Sequence, residues 1–320
     1  MPGIRDAAEK LSQSQEEMEE LAAKFEEIDS IETDATVKES FLSRGIEETG
    51  AQVVAGIDGG LVKKRYSAGD VISVRAVAAV FDFTGDAVKA DYLPEKSPEP
   101  EFFVSANNDA RSLDQEADTR RLAEEVGVAL EALAAAETVL MDGSIVPSYS
   151  LSGETLESYS RLFEEACDGR LAGIVEDSYG LKLSDMLEKR LGVNIGDVRD
   201  TRLMDAILEP GERSFVRRYS TSPVEHPVLQ ELEDRHVNRL HTFYVKLSST
   251  DLPLRVDYYG DAGAADEIAG KLLRLKASER YTVPSPVVEA DKRAKIPETY
   301  IKRLEKRFSP GVRRRDRRPF

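Results

Sequence analysis

Apolar side chains recur at helical spacing near the start of the chain. Within residues 5–28, Leu11, Met18 and Phe25 repeat every seven residues, flanked by Glu and Lys. This stripe predicts an amphipathic helix. The helix is too short for a long coiled coil, so we expect it to dock either on the body of the chain or on a second subunit.

Two extended segments come next. Residues 51–60 form an apolar run and residues 70–83 alternate apolar and polar positions, which predicts an antiparallel pair of strands. Residues 86–118 differ, because nine acidic residues stand against three basic ones and three prolines interrupt the segment. We interpret this segment as a loop or excursion.

The rest of the chain alternates helical and extended patterns. Residues 179–240 mix short helices with Gly and Pro breaks. The other predicted elements are helices over about 115–136, 153–167 and 264–276, a helix starting near 286, strands over 138–144 and 171–178, and a hairpin over 241–260. Strands first, followed by alternating helices and strands, predict an α/β domain built on a mixed sheet.

Two of the predicted strands end in an Asp-Gly pair, VVAGIDGG at 53–60 and TVLMDGS at 138–144. One such pair is a common turn and has little weight alone. If the two strands are neighbours in one sheet, Asp58 and Asp142 meet at a common edge, where two carboxylates repel each other unless a cation lies between them. A hard divalent ion such as Mg²⁺ or Mn²⁺ suits these oxygen ligands.

The helix before the second of these strands offers a third carboxylate. Glu125 forms a row with Ala129 and Leu133 at four-residue spacing, on an otherwise apolar stripe. A charge on a buried stripe needs a partner, and a metal ion is one. The neighbouring Glu124 is an alternative, since most glutamates on a helix simply face solvent.

The composition is acidic, with 60 Asp and Glu against 44 Lys and Arg and a formal charge of −16. The bulk field of such a chain repels DNA, so phosphate chemistry requires metal ions or a local basic patch. Arg outnumbers Lys by 28 to 16, and low Lys with excess acid favours a protein adapted to high salt over an ordinary acidic protein. Residues 302–320 reverse the sign, with a net charge of +7, and either extend freely or contact phosphate.

No feature of the sequence indicates a membrane or a secreted protein. The first residues are polar and lack the apolar core of a signal peptide. The longest apolar run, VISVRAVAAVF, is broken by Arg75 and is too short to cross a bilayer. A single cysteine, Cys167, precludes an internal disulfide and suits a reducing compartment. We therefore expect a soluble, cytoplasmic protein that does not contact the membrane.

The order of these features resembles the NurA family of archaeal DNA-end-resection nucleases. The shared features are the strand ending in Asp-Gly, the hairpin, the helix with its glutamate, the strand ending in Asp-Gly-Ser, and the later segments FYVKL, LPLRVDYY and VPSPVVEADKRAKI. The resemblance spans most of residues 50–296. It implies an RNase H-like α/β fold, with a mixed β-sheet flanked by helices, and a homodimer. It also implies Mn²⁺-dependent (or Mg²⁺-dependent) cleavage of DNA, fed by a HerA-type hexameric translocase.

The resemblance divides the chain into three parts. Residues 1–49 form an N-terminal helical segment, and residues 301–320 form a basic C-terminal tail. Residues 50–300 form the nuclease domain, with excursions near 86–118 and 179–240.

The resemblance also implies roles for four acidic residues. The first Asp-Gly aspartate of the family is a metal ligand and corresponds to Asp58, the helix glutamate corresponds best to Glu125, and the Asp-Gly-Ser aspartate corresponds to Asp142. In the last motif, Asp291 stands where the family usually has a metal-proximal His, and a carboxylate there still binds a hard cation. We therefore expect all four to be catalytic and to bind the metal.

Two further positions depart from the family pattern. Val283 stands at the position of the usual Tyr, with Tyr281 two residues away, and Gly60 stands where the family usually has Ser. These departures leave a rival open, a catalytically inactive NurA-like interaction subunit. We favour a nuclease, since an unused carboxylate cluster would cost stability. Within that class we expect an exonuclease that acts in DNA end resection and repair.

Basic residues follow both acidic motifs and are candidates for binding DNA. They are Lys63, Lys64 and Arg65 after the first motif, and Lys292, Arg293 and Lys295 after the last. Each of them alone also suits a solvated surface.

Overall fold

The structure, a computed structural model, describes residues 3–25, 28, 30–105, 110–151, 153–167, 169–176, 182–220 and 222–314. The strands are β1 (Ser43–Gly45), β2 (Val53–Tyr66), β3 (Gly69–Asp82), β4 (Lys89–Leu93), β5 (Glu101–Ser105), β6 (Thr138–Asp142), β7 (Leu171–Val175), β8 (Glu212–Ser214), β9 (Arg217–Arg218), β10 (Leu240–Lys246), β11 (Leu254–Tyr259), β12 (Lys276–Ser278) and β13 (Tyr281–Pro284). The helices are α1 (Ile4–Phe25), α2 (Ala110–Ala135), α3 (Gly153–Ala166), α4 (Lys182–Leu191), α5 (Asp200–Ile207), α6 (Asp234–Val237), α7 (Ala265–Leu275), α8 (Ser285–Ala294) and α9 (Glu298–Glu305).

Eleven of the described strands form one mixed sheet. Its order is β1–β8–β10–β11–β7–β6–β2–β3–β4, with β5 on β3 and β9 on β10. β6 runs parallel to both β2 and β7, whereas β2 with β3, β7 with β11, and β10 with β11 are antiparallel. The predicted mixed α/β fold with an N-terminal helix is confirmed.

Helices cover both faces of this sheet because its central strands are apolar on both sides. Ile57 and Met141 pack in the layer of α2 and α3, whereas Val54 and Leu140 pack in the layer of α7 and α8. Alternate residues of β2 and β6 therefore point to opposite faces. This alternation decides which side chains meet where β6 ends.

α1 docks on the body of the chain through its C-terminal half, which confirms one of the two expected arrangements. Leu21 and Phe25 are buried in a cluster with residues of α4 and α5, whereas Leu11 is 66% exposed. The helix is described as far as Phe25, and residues 26, 27 and 29, next to the predicted end at 28, lie outside the described part of the chain. Contact with a second subunit stays a prediction.

The sequence predicts a loop or excursion over 86–118, and a loop is wrong for most of the described residues of this segment, 86–105 and 110–118. β4 and β5 both pair with the outer edge of β3, and α2 begins at Ala110 rather than near 115. The reason is that the backbone groups of a buried strand need partners on both edges, which a loop would not provide. The three prolines lie between β4 and β5.

The other predicted elements differ from the structure mainly at their ends. The strand predicted over 51–60 continues to Tyr66. The strand predicted to reach 178 ends at Val175, and residues 177 and 178 lie outside the described part. In the segment 179–240, apart from 179–181 and 221, the structure has the expected short elements, α4, α5, β8, β9 and α6.

The basic tail is folded as far as Arg314, along the tip of the β2–β3 hairpin. Tyr66 donates a hydrogen bond to Glu305 at 2.9 Å, and its ring packs edge-on against Phe308 at 4.8 Å. Arg314 forms a β-bridge with the same tyrosine. Residues 315–320 lie outside the described part. Among the described helices, none is long and apolar enough to span a bilayer.

Candidate metal centre

Asp58 and Asp142 lie side by side where β6 ends. The parallel pairing of β2 with β6 stops one residue earlier in each strand, at Ile57 and Met141. Both aspartates lie close enough to Asp291 on α8 for its charge to raise their pKa values. β6 stops here and β2 continues, so the two carboxylates lie at an open edge. The two Asp-Gly strands are therefore neighbours, as the candidate site requires.

Glu125 reaches the same point from the opposite layer. Its side chain is only 4% exposed, and its carboxylate lies against Gly59, where an added Cβ would overlap Oε1. Glu124 is half-buried, and burial together with the charge of Glu101 raises its pKa. The structure thus brings Glu125, and not Glu124, next to Asp58.

The three carboxyl groups bind protons more strongly than isolated ones. Burial raises the pKa of Asp58, and the charge of Asp291 adds to the rise. Burial raises the pKa of Glu125 to about 8, against the pull of Arg121 and with help from the two aspartates. The side chain of Asp142 is accessible to solvent, but protein surrounds its carboxylate on most sides. This desolvation, together with the charge of Asp58, raises the pKa of Asp142 to about 7. A cation would relieve this repulsion.

Asp291 approaches Asp58 from α8. Its carboxylate pairs with Lys295 Nζ at 2.7 Å. The C-terminal end of α8 is fixed by the buried guanidinium of Arg75, which donates to the carbonyl of Ala294 at 2.9 Å and to the carbonyl of Lys295. α8 thereby holds its aspartate against β2.

Gly60 allows this close packing. A Cβ at residue 60 would overlap the carbonyl oxygen of Ala294. The serine that is usual in the family at this position therefore does not fit beneath α8. The departure at residue 60 follows from the packing of α8 on β2.

Tyr281, rather than Val283, lies beside the acidic cluster of Asp58, Asp142 and Glu125. Val283 is buried in the core layer of α7 and α8. Tyr281 Oη donates a hydrogen bond to Glu176 Oε1 at 3.0 Å, and the charge of Glu176 helps to raise the pKa of Asp142. Residues two apart lie on the same side of a strand, so Tyr281 lies on the same side of β13 as Val283.

Glu176 is an acidic neighbour that the sequence analysis did not predict. It directly follows β7, the strand beside β6. An acidic residue just after a predicted strand is the signal that points to it, as for Asp142. That signal becomes specific only when β7 is known to lie next to β6.

Protein cations already hold two of the predicted ligands. Arg121 Nη1 lies 2.9 Å from Glu125 Oε1, and Lys295 pairs with Asp291. In the described ranges, no three His, Cys, Asp or Glu side chains are close enough together to hold one metal ion. The donor set still fits Mn²⁺ or Mg²⁺ in kind, because it consists of hard oxygen ligands that repel one another.

The predicted DNA-binding residues lie along β2 beyond Asp58 and on α8. Most of them are paired with acidic side chains: Lys63 with Asp114 at 2.5 Å, Lys64 with Glu298 at 3.5 Å, Arg65 with Asp70 at 3.6 Å, and Arg293 with Glu289 at 2.7 Å. Lys292 is exposed. Partly exposed ion pairs of this kind are weak, so a phosphate can replace the carboxylate. Their contact with DNA stays a prediction.

The family model described as NurA domain matches residues 52–296, which is most of the chain. The chain belongs to the NurA family. The crystal structure of the NurA nuclease from Sulfolobus solfataricus shares 18% identity and superposes with a TM-score of 0.59, covering 95% of this chain and 97% of that one.

Two further NurA structures have the same fold. NurA with manganese is 11% identical, covering 93% of this chain and 97% of that chain, with a TM-score of 0.53. NurA bound to dAMP and manganese is 13% identical, covering 83% and 90%, also with a TM-score of 0.53. At such identities the likeness shows the shared fold. No curated protein sequence matches the chain.

Proposed function

We propose that this NurA-family protein is a divalent-metal-dependent deoxyribonuclease that hydrolyses phosphodiester bonds. The observation that carries the proposal is the convergence of Asp58, Asp142 and Glu125 at the end of β6, where the charges raise one another's pKa. Such a cluster is costly without a cation and is typical of a functional site. The manganese in two NurA structures supports this choice of ion.

Asp58, Glu125, Asp142 and Asp291 would hold Mn²⁺ or Mg²⁺. When bound, such ions supply an activated water and neutralise the charge that develops on the phosphate. The chain contributes the positions: Gly59 lets the glutamate approach β2, and Arg75 fixes the helix that bears Asp291. Arg121 and Lys295 pair with two of these carboxylates and compensate part of the negative charge.

The finer proposal is an exonuclease that acts in DNA end resection and repair, as a homodimer with a HerA-type translocase. One NurA structure holds dAMP, a mononucleotide of the kind that an exonuclease releases. The sequence has no GxxxxGK[ST] loop, so the ATP that drives translocation would be hydrolysed by another protein. The acidic, Lys-poor composition supports a halophilic source, and the single cysteine suits a cytoplasmic location. The archaeal source belongs to the proposal because the family resemblance implies it.

A second candidate is a NurA-like interaction subunit without activity. The observation that favours it is that Glu125 and Asp291 have protein cations as partners, at 2.9 and 2.7 Å. In such a subunit these ion pairs would be permanent. Divalent ions would then change neither the stability of the protein nor any DNA substrate.

The deciding experiment follows the degradation of end-labelled linear DNA in Mn²⁺, Mg²⁺ or EDTA, from low to molar salt, with and without a HerA-type ATPase. The wild type is compared with Asp58→Ala and with the matched control Asp82→Ala, whose carboxylate bonds Thr84 at the far end of β3. We expect metal-dependent release of mononucleotides, reduced at least about 100-fold in Asp58→Ala only. A folded wild type that degrades no DNA in any of these mixtures would establish the interaction subunit.

A further inference from the structure

A second recess, of about 680 Å³, lies over β9, β10 and β11. Its lining includes Lys189, Arg217, Tyr219, Thr242, Arg255 and Asp257, and none of the proposed metal ligands. A cavity of this size accommodates a small organic molecule.

Three polar residues form a row across the floor of this recess. Arg217 is in register with Thr242, and Thr242 with Asp257, on three neighbouring strands. Side chains in register point to the same side of a sheet. Arg217 and Asp257 lie on either side of β10, so their backbones are two strand spacings apart, about 10 Å.

In the part of the chain that the structure describes, two residues of this row have a buried oxygen without a hydrogen bond, and the third is a guanidinium without an ion pair. Arg217 is 8% exposed, and within the described ranges its guanidinium has no carboxylate within ion-pair distance. Thr242 Oγ1 and Asp257 Oδ1 are buried without a hydrogen bond to any residue that the structure describes, while the other oxygen of Asp257 accepts one from Arg255 at 2.9 Å. Unsatisfied groups of this kind destabilise a protein unless a ligand completes them.

Among the described residues, no acidic residue of the recess forms an ion pair with Arg217, although Asp200 lies close enough that the charge of Arg217 opposes the rise that burial causes in the pKa of Asp200. Asp200 accepts hydrogen bonds from two backbone N–H groups at the start of α4. Asp185 and Glu225 are exposed. In the described ranges, the floor therefore presents one guanidinium without an ion pair and, on the other side of β10, one buried carboxylate oxygen without a hydrogen bond.

The loop after Asp142 separates this recess from the metal centre. The carbonyl of Gly143 lies over Gly173 of β7, where no side chain would fit. Ser144 Oγ is hydrogen-bonded to Tyr219 Oη at 3.2 Å. A ligand in the recess would thus lie one loop away from the carboxylates.

We propose that the recess binds a nucleotide, with its phosphate on Arg217 and Lys189 and an N–H donor of its base on Asp257 Oδ1 and Thr242 Oγ1. A guanidinium is the preferred side chain for a phosphate, and a carboxylate oxygen accepts hydrogen bonds from base N–H groups. Inorganic phosphate would leave the acceptor unsatisfied, and the two charges of a free amino acid lie too close together to span β10. The nucleotide is either a free mononucleotide or a unit of a DNA strand.

The test is calorimetric titration of the full-length protein in EDTA, so that it does not depend on nuclease activity. The probes are dGMP, a 5′-phosphorylated tetradeoxynucleotide, and deoxyribose 5-phosphate as the probe without a base. The variants are Arg217→Gln, the matched control Arg218→Gln on the next position of β9, Lys189→Gln on the exposed wall, and Asp58→Asn in the metal centre. Thermal unfolding of each variant verifies that it is folded.

We expect dGMP or the tetranucleotide to bind the wild type with a dissociation constant below about 1 mM. Arg217→Gln should weaken binding about tenfold and Lys189→Gln about threefold, whereas Arg218→Gln and Asp58→Asn should leave it unchanged. Binding of dGMP alone identifies a free nucleotide as the ligand, and binding of the tetranucleotide alone identifies a DNA strand.

Three results would overturn the proposal. One is that neither dGMP nor the tetranucleotide binds the wild type. Another is that deoxyribose 5-phosphate binds as tightly as dGMP, which would indicate an anion site only. The third is that binding is lost in Asp58→Asn and kept in folded Arg217→Gln and Lys189→Gln, which would place the ligand at the metal centre.

Discussion

The carboxylate of Glu125 occupies the space that a side chain at residue 59 would need. The glutamate comes from a helix on one face of the sheet, whereas Asp58, the residue before Gly59, faces the other layer. The two carboxyls therefore approach each other only because the strand has no Cβ between them. Gly59 belongs to the metal centre although it provides no ligand atom.

Gly59→Ala should displace Glu125 and lower DNA cleavage about 100-fold, since a catalytic group moved by about 1 Å costs this much. The matched control is Gly127→Ala on α2, where an added Cβ meets no atom within 4 Å. The control should keep full activity and gain up to about 1 kcal/mol of stability from helix propensity. Cleavage rates and urea unfolding of both variants test this. Full activity in a folded Gly59→Ala would contradict the role of Glu125.

Gly60→Ser restores the residue that is usual in the family, yet it should destabilise this protein. The new Cβ would overlap the carbonyl of Ala294, which also accepts the hydrogen bond of Arg75, so the end of α8 must move. We expect a loss of about 1–3 kcal/mol in the free energy of unfolding. Gly45→Ser, which has open space around it, should change it by less than about 0.5 kcal/mol. Equal stability of the two variants would show that α8 adapts.

The raised pKa values predict how the stability of the metal-free protein depends on pH. Glu125 has a pKa of about 8 in the folded protein against 4.5 in the unfolded chain, so between these values the folded state binds more protons. The free energy of unfolding therefore falls as the pH rises from about 5 to 8, by roughly 3–4 kcal/mol from this group. Mn²⁺ competes with these protons, so it should raise the melting temperature more at pH 8 than at pH 6.

Thermal unfolding in EDTA and in Mn²⁺ measures both effects. The double variant Glu125→Gln, Asp142→Asn removes the two carboxyls with the highest pKa values of the cluster. Its stability should depend less on pH than that of the wild type over the same range. If the two proteins show the same pH dependence, other groups titrate there.

The meeting of the two aspartates could be predicted from the sequence, because strands that each end in Asp-Gly present their carboxylates at one edge once they are neighbours. The choice of Glu125 over Glu124 also followed from its apolar row. Both inferences depend on short-range patterns. The structure adds the condition that the strands pair at Ile57 and Met141.

The remaining neighbours depend on contacts that local patterns do not contain. Glu176 lies near Asp142 only because β7 lies beside β6. Tyr281, which hydrogen-bonds Glu176, comes from the distant strand β13. Prolines and acidic residues indicated a loop over 86–118, but the edge of β3 needs hydrogen-bond partners, and this need outweighs local propensity. Arg121 stands four residues before Glu125, a spacing too common on helices to single it out.

Arg121→Gln removes the guanidinium that pairs with Glu125 at 2.9 Å. Its removal leaves a buried carboxyl without its cation and raises the pKa of Glu125 further. Arg121 is 32% exposed, so the loss of stability in EDTA should be about 1–3 kcal/mol, less than for a fully buried pair. Mn²⁺ should restore most of that loss, because it takes over the role of the cation.

Arg161→Gln is the matched control, since it breaks an exposed i,i+4 pair with Glu165 on α3 and should cost less than about 0.5 kcal/mol with or without metal. Thermal unfolding in EDTA and Mn²⁺ compares the two variants. A larger Mn²⁺ effect in Arg121→Gln than in the wild type would mean that metal and arginine compete for Glu125. If Mn²⁺ stabilises neither protein, Arg121 and Glu125 form a permanent ion pair, as the inactive interaction subunit requires.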